Sequence, residues 1–271
     1  MQRRIGPHLD PPLAGIPGAL AQLQVAVFQT ILRDPQRLAR TGVPDEEDRL
    51  AYSRGAAGLW GIAHASLLTN LASPDPRIRN GSLSALVSDA NLAAEIGLAG
   101  VCFHVGYQKG HATAAEAIAL VARKLGEALP KLKPGARLLI ENGCEGSELG
   151  QTVAELGEVA ERVGAGPDLL GVVIDTCHLH VAGFDLAPED APQRLADALA
   201  QAGLADRVVA LHLNDAQFEC GSHRDRHAAP GEGVIGEGLR RLRAHPAFAD
   251  LPAILEVEPG AAERGIRYLT A

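Results

Sequence analysis

The chain is short of cysteine, of positive charge and of long apolar runs, and each shortage removes a class of protein. Its four cysteines, Cys102, Cys144, Cys177 and Cys220, show no CxxC spacing, and a chain of 271 residues needs no covalent staples. Three of them lie close in sequence to candidate metal ligands, so they read as reduced thiols packed as small apolar groups. A formal net charge of −8 argues against a general nucleic-acid binder. No apolar run approaches the roughly 20 residues of a membrane span. The opening MQRRIGPHLDPPLAG carries the charge of a signal peptide, yet proline, histidine and aspartate interrupt what should be its apolar region. The expectation is a cytoplasmic protein.

What remains is a chain able to bury a full core, with 46% apolar residues and no internal linker or low-complexity tract. Short apolar runs alternate with amphipathic or alanine-rich segments. They predict strands over residues 3–9, 24–28, 59–64, 100–104, 137–141, 171–175, 208–212 and 253–256. Helices are predicted over 14–21, 46–55, 82–96, 113–129, 150–163, 191–202, 236–244 and 261–269. Thr113 is the expected N-cap of its helix, with Glu116 as capping-box partner. Eight strands alternating with eight helices predict a single (β/α)8 TIM barrel spanning residues 1–271, and barrels of about 250 residues are common.

Polar residues then fall into register. His64, His104, Glu141, Asp175, His212 and Glu256 end the third through eighth predicted strands, and barrel strand ends converge on one C-terminal mouth. Burying several carboxylates there without cations would cost many kcal/mol of desolvation and repulsion. The loops add His178, three residues after Asp175, and the pair Asp225 and His227, which share one face of an extended segment. Five imidazoles and four carboxylates exceed one tetrahedral ion and suit two or three. A nitrogen-rich set favours zinc or a similar transition metal, with manganese an option at one site.

The segments AHASLLTNLASP, FHVG, LLIENGCEGSELG, GVVIDTCHLHVAGFDL, HLNDAQFECGSHRDRHAAPGEGVIG and ILEVEPG resemble, in order, the signature blocks of the endonuclease IV family of apurinic/apyrimidinic endonucleases. The resemblance runs from about Ile5 to near the C-terminus. It implies a barrel with three Zn2+ ions that hydrolyses the phosphodiester 5′ of abasic sites in double-stranded DNA, in base-excision repair, leaving a 3′-hydroxyl and a 5′-deoxyribose phosphate. By the same resemblance His64, His104 and Glu141 hold the first ion. Glu141 bridges to a second held by Asp175, His212 and Glu256, and His178, Asp225 and His227 hold the third. Glu141, which also orients the nucleophile, and Glu256 are the expected catalytic carboxylates. Three positions depart from the family pattern: Leu67 stands where relatives carry a probing tyrosine, Val105 replaces a proline, and the ENGCEGS loop is one residue short.

Three divalent ions among four carboxylates leave the centre at about +2, which lets an acidic chain attract phosphate. Arginines fall in predicted mouth loops: Arg33, Arg37 and Arg40, then Arg77 and Arg79, then Arg224 and Arg226. Of these Arg33, Arg224 and Arg226 are expected DNA contacts; the resemblance implies that Arg33 enters the base stack, and Leu67 has two readings, an apolar wedge in the DNA or a side chain packed in its own loop. The resemblance places His8 beside the site; His111, His180, His223 and His245 are expected at the surface or in loops, and Cys177 as a packed neutral thiol. No membrane or obligate protein partner is expected, and the default state is a monomer. The rival readings are a metal-dependent sugar isomerase or epimerase on a related barrel, and a non-catalytic binder of damaged DNA. Asp225 and His227 argue against the first, and the unbroken ligand set against the second.

Overall fold

Strand residues here alternate between two buried faces, and that alternation builds the barrel. The computed structural model describes residues 4–10 and 12–271. Its strands are β1 (Ile5–Pro7), β2 (Val27–Ile31), β3 (Trp60–His64), β4 (Val101–His104), β5 (Leu138–Glu141), β6 (Leu170–Asp175), β7 (Val208–His212), the short β8 (Asp215–Ala216) and β9 (His227–Ala228), and β10 (Ala253–Leu255). Eight of them, all but the antiparallel pair β8 and β9, form one parallel sheet in the order β1-β10-β7-β6-β5-β4-β3-β2. The ends of that order meet. His8 bridges Gln29 in parallel register, and Leu9 donates its N–H to the Gln29 carbonyl at 2.8 Å, closing the barrel. Closure requires Gly6, because a Cβ there would lie 1.6 Å from the Val27 carbonyl oxygen.

Val27, Ile62, Cys102, Leu139, Val173, Ala210 and Ile254, one from each of seven strands, pack together inside the barrel. Their neighbours, among them Phe28, Phe103, Ile140, Val172, Ile174 and Leu211, point outward into the larger core shared with the helices. Full burial of such side chains contributes about 1.5–3 kcal/mol each. The two-residue period of a strand then dictates what sits one step above the interior layer. Two residues beyond its members stand Gln29, His64, His104, Glu141, Asp175, His212 and Glu256.

The helices are α1 (Ile16–Leu23), α2 (Glu46–Gly55), α3 (Pro76–Glu95), α4 (Ala114–Ala128), α5 (Val153–Val163), α6 (Thr176–Val181), α7 (Ala191–Gln201), α8 (Glu237–Ala244) and α9 (Pro259–Thr270). The predicted alternation holds, with three corrections. The second strand is displaced to Val27–Ile31 because α1 runs on to Leu23 and is stopped by Gln24 in the left-handed region, φ 55°. Helix α3 begins six residues before the predicted start, where Asp75 caps the Arg77 N–H at 2.8 Å and Pro76 occupies the first turn. The six-residue α6 was not foreseen. The expected capping box is also shifted. Thr113 Oγ1 accepts from the Glu116 N–H at 3.2 Å, but the Glu116 carboxylate reaches back to Ala112, one residue before the cap. Arg3, the predicted start of the first strand, lies outside the described residues.

Arg33 corrects the expectation that it enters DNA. Its side chain is buried, with Nε and Nη2 donating to the two carboxylate oxygens of Asp89 at 2.6 and 2.5 Å, and with further bonds to the Leu38 and Ala85 carbonyls. The guanidinium thus ties the loop after β2 to α3. Burial pushes the Asp89 carboxyl upward even against Arg33, so removing the cation strands a buried charge. Arg33→Met is expected to lose about 3–5 kcal/mol in urea denaturation, with Arg33→Met/Asp89→Leu recovering much of it. A single variant within about 0.5 kcal/mol of wild type would show the pair to be dispensable.

Cys102, Cys144 and Cys177 are free and buried, as the composition suggested, whereas Cys220 is exposed. No helix among the described residues is long and apolar enough to cross a membrane.

Candidate metal centre

The chain gathers all nine predicted ligands at the C-terminal ends of the strands and the loops that follow. Glu141, at the end of β5, is fully buried and central. One of its oxygens lies 3.2 Å from His64 Nε2 and 3.5 Å from His104 Nε2. The other lies 2.7 Å from His212 Nδ1, which in turn stands 3.1 Å from Glu256 and 3.9 Å from Asp175. A third group forms alongside, where His178 Nε2 and His227 Nε2 face each other at 3.3 Å and each lies 3.3 Å from an Asp225 oxygen. Two ring nitrogens aimed at each other and at one carboxylate form a donor set suited to a shared cation.

The local sequence explains how His178 arrives. Asp175 ends β6 and also N-caps α6, one oxygen accepting from the His178 N–H at 2.8 Å. Its other oxygen is left for the centre and is held by Asn214 Nδ2 at 2.7 Å. The hairpin of β8 and β9 then carries Asp225 and His227 back over the mouth. Buried Asp215 anchors that return. Its carboxylate accepts from the N–H groups of Gly231, Gly233 and Ile235.

Each ring is also fixed by its outer nitrogen. Carbonyls and carboxylates only accept, so the nitrogen facing one carries the hydrogen. His64 Nδ1 donates to the Ala65 carbonyl at 2.9 Å, His178 Nδ1 to the Asn142 carbonyl at 2.9 Å, and His227 Nδ1 to the Glu256 carbonyl at 3.2 Å. His104 Nδ1 donates to Glu148 at 2.7 Å, and the other oxygen of Glu148 accepts from the Cys144 and Glu145 N–H groups. These four rings turn Nε2 inward. Such outer partners orient metal-binding imidazoles, and the arrangement fits resident metal ions.

Charge is concentrated accordingly. Burial opposes every charge here, yet Glu141 and Glu256 together hold His212 up at about 9. Glu256 is held down at about 2 by His212 against the same burial. Asp225 is likewise held at about 2, burial opposing and the His178 bond lowering it. Burial and the coulombic pull of Asp175 act oppositely on His178, and the carboxylates win, raising it well above the ordinary range. These are proton-held ion pairs at positions that a divalent ion would take over.

Around the centre lies a mouth cavity of about 250 Å³, lined by His8, Pro35 and Leu67 together with candidate ligand side chains. Leu67 stands on the rim with 66% of its surface exposed, and its N–H is fixed to the Pro35 carbonyl at 2.9 Å. Arg224 and Arg226 are exposed beside the hairpin, Arg224 stacked 3.6 Å from the centroid of Phe218. His8 reaches the site through Gln29. His180, expected at the surface, is instead buried in α6, where its Nδ1 accepts from the Leu186 N–H. Cys177 is a buried thiol, and burial, then the Asp175 charge, push it far up.

Pattern reading missed four residues that hold this geometry: Gln29, Glu148, Asn142 and Asn214. Gln29 has a signal, its place two residues above Val27 in β2. Asn142 and Asn214 each stand close after a candidate ligand, but amides there carry no mark of their own. Glu148 lies in a loop whose course the sequence does not reveal.

Residues 18–271 match the model of the xylose isomerase-like TIM barrel family. The chain is 38% identical over 260 residues to a probable endonuclease 4 from Solibacter usitatus, covering 91% of this chain and 88% of that protein. It superposes on the crystal structure of endonuclease IV from Thermus thermophilus with a TM-score of 0.85 and 29% identity, over 99% of this chain and 98% of the other. A D-tagatose 3-epimerase-like protein shares the fold, with a TM-score of 0.73 and 18% identity over 99% of this chain and 96% of that one. The last likeness is one of fold alone.

Proposed function

Because the chain belongs to the endonuclease IV family of xylose isomerase-like TIM barrels, we propose that it is a metal-dependent AP endonuclease. It hydrolyses the phosphodiester 5′ to abasic sites in duplex DNA, leaving a 3′-hydroxyl and a 5′-deoxyribose phosphate. The observation that carries the reading is the third donor group, His178, Asp225 and His227, set directly beside the two that share Glu141. A barrel working on a free sugar has no need of it, whereas a phosphodiester presents an attacking oxygen, a leaving oxygen and a charged phosphate.

In this reading the nine ligands hold three Zn2+ ions, grouped as His64, His104 and Glu141, then Glu141, Asp175, His212 and Glu256, then His178, Asp225 and His227. Bound there, such ions supply a lowered water pKa and neutralise charge on phosphate oxygens. The residues do the positioning. Glu141 ties the first two groups together, Glu256 closes the second, and the hairpin with Asp225 and His227 presents the third.

Substrate choice follows from space. A cavity of about 250 Å³ lies below the roughly 300–1,000 Å³ of common ligand pockets. The cavity lies directly beside the candidate ligands, where a sugar-phosphate unit turned out of the helix would meet them. An abasic nucleotide leaves at the least cost, having no base to unstack. Leu67 on the rim can fill the gap as an apolar wedge, and Arg224 and Arg226 meet backbone phosphates.

The test is a duplex with one tetrahydrofuran abasic analogue, incubated with zinc-loaded protein before and after strong chelation. A chelator-sensitive nick on the 5′ side of the analogue is expected. No nick from protein shown by elemental analysis to hold its zinc would sink the nuclease reading.

A further inference from the structure

Gln29 completes the ring of side chains above the barrel's interior layer, and no surface or packing role accounts for it. It is fully buried and polar. Its amide nitrogen lies 2.5 Å from Glu256 Oε1 and 3.0 Å from His8 Nδ1, and its amide oxygen lies 2.8 Å from His212 Nε2. The orientation of the amide follows from chemistry. Ionised Glu256 only accepts, so the amide N–H must face it, and the amide oxygen must then face His212. An oxygen there requires His212 to carry its proton on Nε2.

His212 is thereby made unlike the other four ligand histidines, whose Nδ1 atoms donate outward. Its Nδ1 points at Glu141 and Glu256, at 2.7 and 3.1 Å. We propose that Gln29 is the positioning residue that makes His212 bind metal through Nδ1 while the other four bind through Nε2, and that orients Glu256 for the same ion. Few other residues can do this. Glutamate would set a second carboxylate against Glu256, and leucine would leave the buried His212 N–H without an acceptor. Asparagine, one methylene shorter, would not span the same partners. The inference rests on the metal centre proposed above.

The experiment uses zinc-loaded, 15N-labelled protein and long-range 1H–15N spectra, which report which nitrogen of each imidazole carries hydrogen. His212 is identified by the signal lost in His212→Asn. In wild type the expected pattern is Nε2–H for His212 and Nδ1–H for His64, His104, His178 and His227. In Gln29→Leu the Nε2–H pattern of His212 should disappear, and zinc held against a competing chelator should weaken about tenfold or more for one ion, within the range for outer partners of ligands. A wild-type His212 bearing Nδ1–H overturns the inference without any variant, and so settles the case even if Gln29→Leu does not fold. A folded Gln29→Leu that keeps both the Nε2–H signal and wild-type zinc competition overturns it as well. Wild type that binds no zinc overturns the inference together with the metal reading beneath it, whereas zinc-bound protein with the wrong tautomer overturns the inference alone.

Discussion

Glu141→Gln is expected to leave the barrel folded, to lower the bound zinc by at least one ion per chain, and to slow cleavage of an abasic duplex on the order of 10³-fold or more. The scale comes from comparison. Losing an outer partner of a ligand costs about 10–100-fold, and removing one preorganised group at a reaction centre costs about 10²–10³-fold. Glu141 serves two donor groups at once, His64 and His104 through one oxygen and His212 through the other, so its loss should meet or exceed the upper figure. An amide keeps the shape and removes the function. It offers one neutral acceptor in place of two anionic oxygens, and its NH2 must face a ring nitrogen turned inward to bind metal. The fold should survive because Glu141 is held in β5 by backbone pairing to His104 and Val173, which the substitution leaves intact. Elemental analysis, circular dichroism and the nicking assay together check the three parts. A variant that cuts at the wild-type rate with full zinc would remove Glu141 from the centre.

How much of this was legible from the residues depends on whether a residue's role is set by its own strand. His64, His104, Glu141, Asp175 and His212 could be placed because a strand-end position in a barrel fixes both depth and direction. Gln29 obeys the same rule and was lost for two physical reasons. An uncharged amide does not advertise itself as a ligand or a ligand's partner, and the predicted second strand stopped at Phe28, one residue too soon. The boundary failed because α1 extends to Leu23 before the chain turns into β2. Arg33 failed differently. A loop arginine reads as solvated or phosphate-bound, and its partner Asp89, 56 residues away, becomes a neighbour only when α3 packs beside the loop after β2. Helix α6 was present in DTCH all along, since an aspartate whose carboxylate meets the N–H three residues on is an N-cap. The metal-ligand reading of Asp175 hid that second use.

Removing the metal should change not only the stability of the protein but the sign of its dependence on pH. In the metal-free chain Glu256 and Asp225 are held at about 2, and Glu141 well below the usual range, by imidazoles that outweigh burial. Depressed carboxyls stabilise the fold above their ordinary values near 4, and that contribution is lost as pH falls toward 2. The imidazoles run the opposite way. Burial opposes their charge, but the carboxylates raise His212 to about 9 and raise His104 and His178 as well. A raised imidazole contributes fully below about 6.5, and its share vanishes as pH rises through the folded value. The metal-free protein should therefore be most stable near pH 5–6 and weaken toward pH 9. His212 alone accounts for on the order of 3 kcal/mol of that loss, or roughly 6–12 °C in Tm for a chain of this size. In the proposed centre zinc would take the same nitrogens without protons, so its binding should strengthen over the same interval. The gap in Tm between zinc-loaded and chelated protein should accordingly widen from pH 6 to pH 9. Calorimetry at pH 6, 7.5 and 9 decides it, and a gap that stays constant or narrows with rising pH would mean that protons and metal do not compete for these histidines.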